Sequence, residues 1–139
     1  MDIKVKKIST LFFLQLSLGI FFFILGLYGI LPGTQESVFS LSDNVRSLEI
    51  IFGLLELVCS VILLGGLVLS TRKKMLYSAS FVVFCFWAAR ILISKIILGI
   101  NPGRRGIYFS PDFATWILIL SIEFVVLVSI FIICKTYSR

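Results

Sequence analysis

Four long apolar runs dominate this 139-residue sequence, and they limit what the chain can fold into. They cover residues 8–31, 48–69, 75–97 and 113–134. Each is close to the roughly 20 residues that a helix needs to cross about 30 Å of hydrocarbon. Inside lipid the backbone has to satisfy its own hydrogen bonds, so we expect each run to be a continuous helix. The sequence therefore predicts an all-α integral membrane protein, a single domain built as a four-helix bundle.

The composition excludes several other classes of protein. Hydrophobic residues make up 59% of the chain and charged residues 14%, against about 25% charged residues in an average soluble domain. This leaves too little polar surface for a water-soluble globule or a disordered chain. A transmembrane β-barrel would show alternating segments of about ten residues, and none is visible. The first run is longer than the apolar core of a signal peptide, about 7–15 residues, so we expect it to be retained as a span.

Local signals mark the ends of the runs. Pro32 follows the first run and cannot continue a helix. Ser110, Pro111 and Asp112 precede the fourth run. Ser is a favoured cap, Pro fits the first helical position, and Asp suits the positive end of the helix. We therefore expect the loops 32–47 and 101–112 to lie on one side of the membrane.

The basic residues are distributed unevenly about the spans. We expect eight of them on the side of the membrane opposite the loops 32–47 and 101–112, namely Lys4, Lys6, Lys7, Arg72, Lys73, Lys74, Lys135 and Arg139. The loop side carries Arg46, Arg104 and Arg105, with Lys95 near its edge. The positive-inside rule then predicts that both termini are cytoplasmic and that the protein lies in the cytoplasmic membrane. The formal net charge of +6 is explained mainly by this topology, with attraction to anionic lipid as an addition. Nucleic-acid binding is not expected, because the basic residues form short clusters beside the membrane.

Three charged residues fall well inside the predicted spans: Glu56, Arg90 and Glu123. A charge at the bilayer centre costs about 2.5–3.5 kcal/mol on insertion scales, so it usually faces protein or water and has a partner. Counting from the outer end of each span places all three in one layer, between the midplane and the outer surface. The sequence therefore predicts an intramembrane charge cluster.

A second pair, Glu49 and Lys95, fits the same antiparallel register as Glu56 and Arg90. Glu49, Glu56 and Ser60 share one helical stripe. Lys95 lies about 140° around a regular helix from Arg90, so its pairing with Glu49 requires a snorkelling side chain. We treat Glu49 and Lys95 as a candidate second rung near the outer interface.

The charge cluster has three interpretations. It is a buried ion pair that fixes helix packing, or a polar site for a proton, a quinone head group or another ligand, or a contact with another subunit. In the ligand interpretation, Trp87 and Ser60 are candidate walls. If Arg90 neutralises Glu56, then Glu123 is left over and has to be protonated, share Arg90 or find an external partner.

No other motif predicts chemistry. The sequence has three cysteines, no CxxC pair and no histidine, so we predict no catalytic residue, no metal site and no resident cofactor beyond a bound quinone or lipid. Arg104 and Arg105 are candidates for contact with an anion or a lipid headgroup. Glycines in the first two runs permit close contacts between helices, namely Gly19, Gly26, Gly29 and Gly53.

The first two runs resemble the DoxX-like family of small four-span bacterial membrane proteins. Leu18-Gly19 to Gly26-Leu27 is similar to the family's apolar first helix with two spaced glycines, and Gly53-Leu54-Leu55-Glu56 is similar to its Gly-x-x-Glu segment. The resemblance implies a helical bundle, importance of Glu56, a bacterial source and, for some members, an accessory role in membrane redox or thiol-stress systems. The family often has basic residues where this chain has Gln15 and Gly29.

Three functions remain open from the sequence. The leading one is a non-catalytic accessory or assembly subunit of a larger membrane complex, with other membrane subunits or a second copy as partners. The second is a redox-linked protein that binds a quinone or lipid-like ligand near Glu56 and Arg90. The third is transport of a proton or small solute, which four spans would accomplish only as an oligomer.

Overall fold

A computed structural model describes residues 2–31, 46–68, 73–103, 106–109 and 112–138. In chain order the elements are α1 (Asp2–Ile30), α2 (Arg46–Val68), α3 (Lys73–Ile91), a π-helical segment (Leu92–Ile97), β1 (Ile100–Gly103), β2 (Gly106–Phe109) and α4 (Phe113–Tyr137). The π-helical segment continues α3, and with it four helices are long and apolar enough to cross a membrane. Their apolar stretches of 21 to 25 residues correspond to about 30–38 Å of helix. The four predicted spans are confirmed as helices.

The helices run antiparallel in chain order. Near one end of the bundle, Gln15 of α1 donates to the carbonyl oxygen of Leu63 in α2, and Tyr137 of α4 donates to Gln15. Near the other end, Trp116 of α4 donates to the carbonyl oxygen of Lys95, just beyond α3. We call these the terminal end and the hairpin end. The start of α1 and the end of α4 therefore both belong to the terminal end.

Glycines bring α1 and α2 into backbone contact. A Cβ added at Gly26 would lie 2.7 Å from the carbonyl oxygen of Gly53, and one added at Gly29 would lie 2.9 Å from the Gly53 Cα. Both separations are too short for any side chain, so only glycine fits this crossing. The contact confirms the close approach that the glycines predict. Small residues at such crossings are a principal means of helix association in membranes.

The interior of the bundle is filled by aromatic and aliphatic side chains around Trp87. Phe21 and Phe22 of α1 meet its ring edge to face, with ring centroids 6.0 and 5.1 Å away. Large apolar side chains also remain exposed on every helix, for example Phe13, Val61 and Phe124. A water-soluble protein rarely exposes apolar surface on this scale, whereas a lipid-facing surface requires it.

The chain between α3 and α4 is more ordered than the loop that the sequence predicts. Leu98 donates its N–H to the carbonyl oxygen of Ile93, an i→i−5 hydrogen bond of the π-helical segment. β1 and β2 then form an antiparallel hairpin in which Ile100 pairs with Phe109 and Gly103 with Gly106. Each strand is only four residues long, which is too short to show an alternating apolar pattern, so the polar, Gly- and Pro-containing sequence does not predict them.

The start of α4 differs from the expected cap. Asp112 is the N-cap, and its carboxylate accepts a hydrogen bond from the backbone N–H of Thr115 at 3.1 Å. Ser110 and Pro111, the expected cap and first helical residue, lie outside the described residues. Hydrogen bonds from Thr115, first from its side chain and then from its backbone, lower the pKa of the Asp112 carboxyl. An ionised cap also complements the positive end of the helix dipole.

Candidate functional site

The structure brings Glu56, Arg90 and Glu123 together at one level of the bundle. Arg90 Nε lies 2.7 Å from Glu56 Oε1, and Arg90 Nη1 donates to Glu123 Oε1 at 3.1 Å. One guanidinium on α3 thus joins a carboxylate on α2 to a carboxylate on α4. The planar fork of arginine suits this task, because its nitrogens point in different directions.

Lys95 is the fourth member of the cluster. Its ammonium nitrogen lies 3.9 Å from Glu123 Oε1. Lys95, the candidate partner of Glu49 in the expected second rung, thus lies close to Glu123. Glu49 lies at the α1–α2 crossing, where its backbone carbonyl faces Gly29. We call the set of Glu56, Arg90, Lys95 and Glu123 the charge network.

The π-helical segment explains how Lys95 comes to lie near Glu123. Five residues of regular α-helix turn Lys95 about 140° away from Arg90. A π-helix holds about one more residue per turn, so each residue advances the rotation less. Lys95 lies within this segment, and its side chain is rotated back toward the face that carries Arg90. The apolar pattern does not indicate where a π-helix occurs, so the sequence alone does not predict this rotation.

The backbone of the π-helical segment is stabilised from α4. Trp116 donates its indole N–H to the Lys95 carbonyl oxygen at 3.2 Å, which satisfies an acceptor at the end of the segment. A Cβ at Gly99 would lie 2.7 Å from this carbonyl oxygen and 2.9 Å from the indole nitrogen. Gly99 therefore provides the space that the hydrogen bond needs. This contact fixes the chain that carries Lys95.

The charge network is buried and formally neutral. Its four residues are between 1% and 7% exposed. Two carboxylates face two cations, so the formal charges cancel. Of the three outcomes that the sequence leaves open for Glu123, the structure shows the shared Arg90, which contacts both carboxylates, and Lys95 also approaches Glu123. No external cation is needed to balance Glu123.

Two carboxylate oxygens of the network are buried without a hydrogen-bond partner in the described part of the chain, Glu56 Oε1 and Glu123 Oε2. Glu56 Oε1 still lies 2.7 Å from Arg90 Nε in the ion pair, whereas no contact of Glu123 Oε2 is seen among the described residues. Buried polar atoms are nearly always satisfied, so an orphaned carboxylate oxygen requires an explanation such as a proton, a water molecule or a ligand group. It is the position in the network where a further polar group would be stabilised.

The two candidate ligand walls are both engaged in packing. Trp87 is fully buried, donates its indole N–H to the Glu123 carbonyl oxygen at 3.0 Å, and has the Arg90 guanidinium carbon 4.8 Å from its ring centroid. This cation–π contact helps to hold the guanidinium in place. Ser60 donates to the carbonyl oxygen of Gly19 at 2.8 Å and so joins α2 to α1.

Sequence reasoning missed a second polar contact at the terminal end. Gln15 is 1% exposed and bridges α2 and α4, donating to Leu63 and accepting from Tyr137 at 2.5 Å. The signal was present, because a glutamine within an apolar run is costly in lipid unless it has partners. Its partner, 122 residues away, could not be identified from the pattern.

The remaining candidates from the sequence are the two adjacent arginines and the three cysteines. Arg104 and Arg105 lie outside the described residues. Cys59 and Cys134 are buried and Cys85 is exposed, each as a free thiol. Within the part of the chain that the structure describes, no group of three residues suited to metal binding occurs.

The geometry can perform two tasks. It can fix α2, α3 and α4 in one register through opposite charges, or it can present Glu123 Oε2 to a small polar group inside the bundle. Comparison with models of protein families, with curated proteins and with solved structures finds no match for this chain.

Proposed function

We propose that this protein is a non-catalytic accessory or assembly subunit of a larger membrane complex. The observation that carries the proposal is the closed charge network. Charged residues within a membrane usually mark a functional pathway. Here two carboxylates and two cations neutralise one another across three helices. The polar chemistry of the interior is thereby used for packing, and the outer surface remains for association with other proteins.

The surface of the bundle supports this proposal. Bulky apolar side chains such as Phe13, Leu118 and Phe124 are at least 60% exposed. Partner helices could pack against such a surface as readily as lipid does. The segments between the helices are short, so association through the membrane is favoured over association through a soluble domain.

The proposal includes a location in the cytoplasmic membrane of a bacterium, with both termini in the cytoplasm. Its support is the distribution of charge. The terminal end carries the exposed Lys74 and Lys135, and α1 begins there with a lysine-rich turn. The positive-inside rule relates this end to the cytoplasm. The bacterial source rests on the resemblance to DoxX-like proteins.

The test is purification of the tagged chain from its native membrane in several mild detergents, followed by quantitative mass spectrometry. The matched control is an unrelated four-span protein carrying the same tag and expressed at the same level. We expect at least one other membrane protein to be recovered in near-stoichiometric amount with the chain and not with the control. Recovery of the chain alone in every detergent would refute the proposal.

A second candidate function rests on Glu123 Oε2. Its missing hydrogen-bond partner favours a bound quinone or lipid-like molecule with a polar head, as in a redox-linked DoxX-like protein. Solvent extraction of the purified protein and mass spectrometry would then detect a bound isoprenoid or lipid. Glu123→Gln should release it, whereas Ser121→Ala, an exposed change on the same helix, should not. Equal small-molecule content in both variants would exclude this candidate.

A further inference from the structure

A groove of about 280 Å³ opens between α3 and α4 at the terminal end, well away from the charge network. Tyr77, Phe81 and Phe84 form its α3 wall. They recur every three or four residues and therefore share one helical face. Phe131 and Cys134 form much of the α4 wall. We call this feature the α3–α4 groove.

The length of the groove is apolar and aromatic. Tyr77 and Phe81 are stacked with ring centroids 6.2 Å apart, and Phe84 meets Phe131 of the opposite wall at 6.0 Å. From Tyr77 to Phe84 the groove follows α3 for about 10 Å. This is two turns of helix, which is short for the contact of a whole spanning helix but sufficient for part of a hydrocarbon chain.

The mouth of the groove is cationic. Lys135 and Ser138, in and just beyond the last turn of α4, line it. Lys74 lies one turn before Tyr77 on the same face of α3. Both lysines are exposed. The two lysines therefore lie at the end of the bundle where the headgroups of the adjacent leaflet begin.

We propose that the α3–α4 groove binds one anionic phospholipid of the leaflet at the terminal end. Its phosphate contacts Lys135 and Lys74, and one acyl chain lies along the aromatic walls toward Phe84. The charge pattern selects this occupant, because a cationic mouth above an apolar cleft complements a phosphate above a hydrocarbon chain. Basic pockets between transmembrane helices bind anionic headgroups by the same chemistry.

The test uses the full-length protein in nanodiscs that contain equal amounts of phosphatidylglycerol and phosphatidylcholine. Native mass spectrometry then measures which lipid remains bound. We expect phosphatidylglycerol to be retained in preference. The double variant Lys74→Gln/Lys135→Gln should reduce this preference about 30-fold, from about fivefold per lysine near a headgroup surface.

The matched control is Lys4→Gln/Lys7→Gln, which removes two lysines from α1 at the same end. It should leave the preference unchanged. An equal loss in the control would show a general effect of net charge and overturn the proposal, as would an unchanged preference in the groove variant. Displacement of the lipid by inorganic phosphate alone would also overturn it, because the acyl chain would then contribute nothing.

A second readout locates the acyl chain. Phosphatidylglycerol with a photoactivatable group in its acyl chain should label the segments around Phe81 and Phe131 more strongly than matched phosphatidylcholine does. Equal labelling by the two probes would contradict the site. A groove occupied by a helix of another protein would exclude both probes and would also overturn the proposal.

Discussion

Replacement of Arg90 by Met removes the guanidinium that joins Glu56 to Glu123. Both carboxylates are at most 2% exposed, and they lie on different helices. After the change, Lys95, at 3.9 Å from Glu123, would be the nearest cation that the described structure offers. Removing one partner of a buried ion pair costs about 3–5 kcal/mol, because the remaining charge is left uncompensated. We expect a loss in this range in the free energy of unfolding.

Reversible unfolding in mixed micelles with increasing SDS measures this quantity for the wild type and each variant. Arg90→Lys keeps the charge but has a single nitrogen, whereas Arg90 uses Nε for Glu56 and Nη1 for Glu123. Arg90→Lys should therefore lower the free energy of unfolding by less than Arg90→Met does. Lys74→Met, which removes an exposed charge from the same helix, should stay within about 0.5 kcal/mol of the wild type.

A further variant, which we call the network-free variant, carries Met in place of Glu56, Arg90, Lys95 and Glu123. Exchange of a whole buried ion network for apolar residues is often neutral or stabilising. We therefore expect it to be at least as stable as the wild type, although it contains the destabilising Arg90→Met change. A loss for Arg90→Met no larger than that for Lys74→Met would show that the guanidinium does not balance the two buried carboxylates.

Three further changes test other parts of the fold. Gly53→Ala places a Cβ 3.0 Å from a backbone oxygen of α1 and should lower the free energy of unfolding by about 1–3 kcal/mol, whereas Gly65→Ala, with nothing within 4 Å of its Cβ, should not lower it. Trp116→Phe removes the hydrogen bond to Lys95 and should cost about 0.5–1.5 kcal/mol and speed amide exchange in the π-helical segment. Because hydrogen bonding lowers the pKa of Asp112, its capping is complete above the ordinary pKa near 3.9 and is lost as the pH falls through the lower folded value. The protection factors of the amides in the first turn of α4, taken relative to intrinsic exchange at each pH, should therefore fall below about pH 4, and Asp112→Asn should remove this pH dependence.

The sequence predicts the four helices because lipid leaves an apolar run of this length few alternatives. The Glu56–Arg90 contact follows from depth and helical face alone. Glu123 falls at the same depth, and the guanidinium can serve two carboxylates at once. The glycine crossing of α1 and α2 is equally visible, since Gly53 shares a level with Gly26.

What the sequence does not predict depends on local backbone geometry. The π-helical segment turns Lys95 toward Glu123, and the apolar pattern does not indicate that rotation. The hairpin is too short to show an alternating pattern. Gln15 and Tyr137 meet only because α1 and α4 are neighbours in the bundle, which is a consequence of tertiary packing.

In the proposed function, the charge network serves packing and association with other proteins uses the outer surface. The most direct test is the amount of partner protein recovered with the network-free variant, relative to the wild type, from the native membrane under the same mild detergent. We expect the variant to fold and to recover the same partners in the same amounts. A folded variant that loses its partners, or a variant that fails to fold, would contradict this expectation.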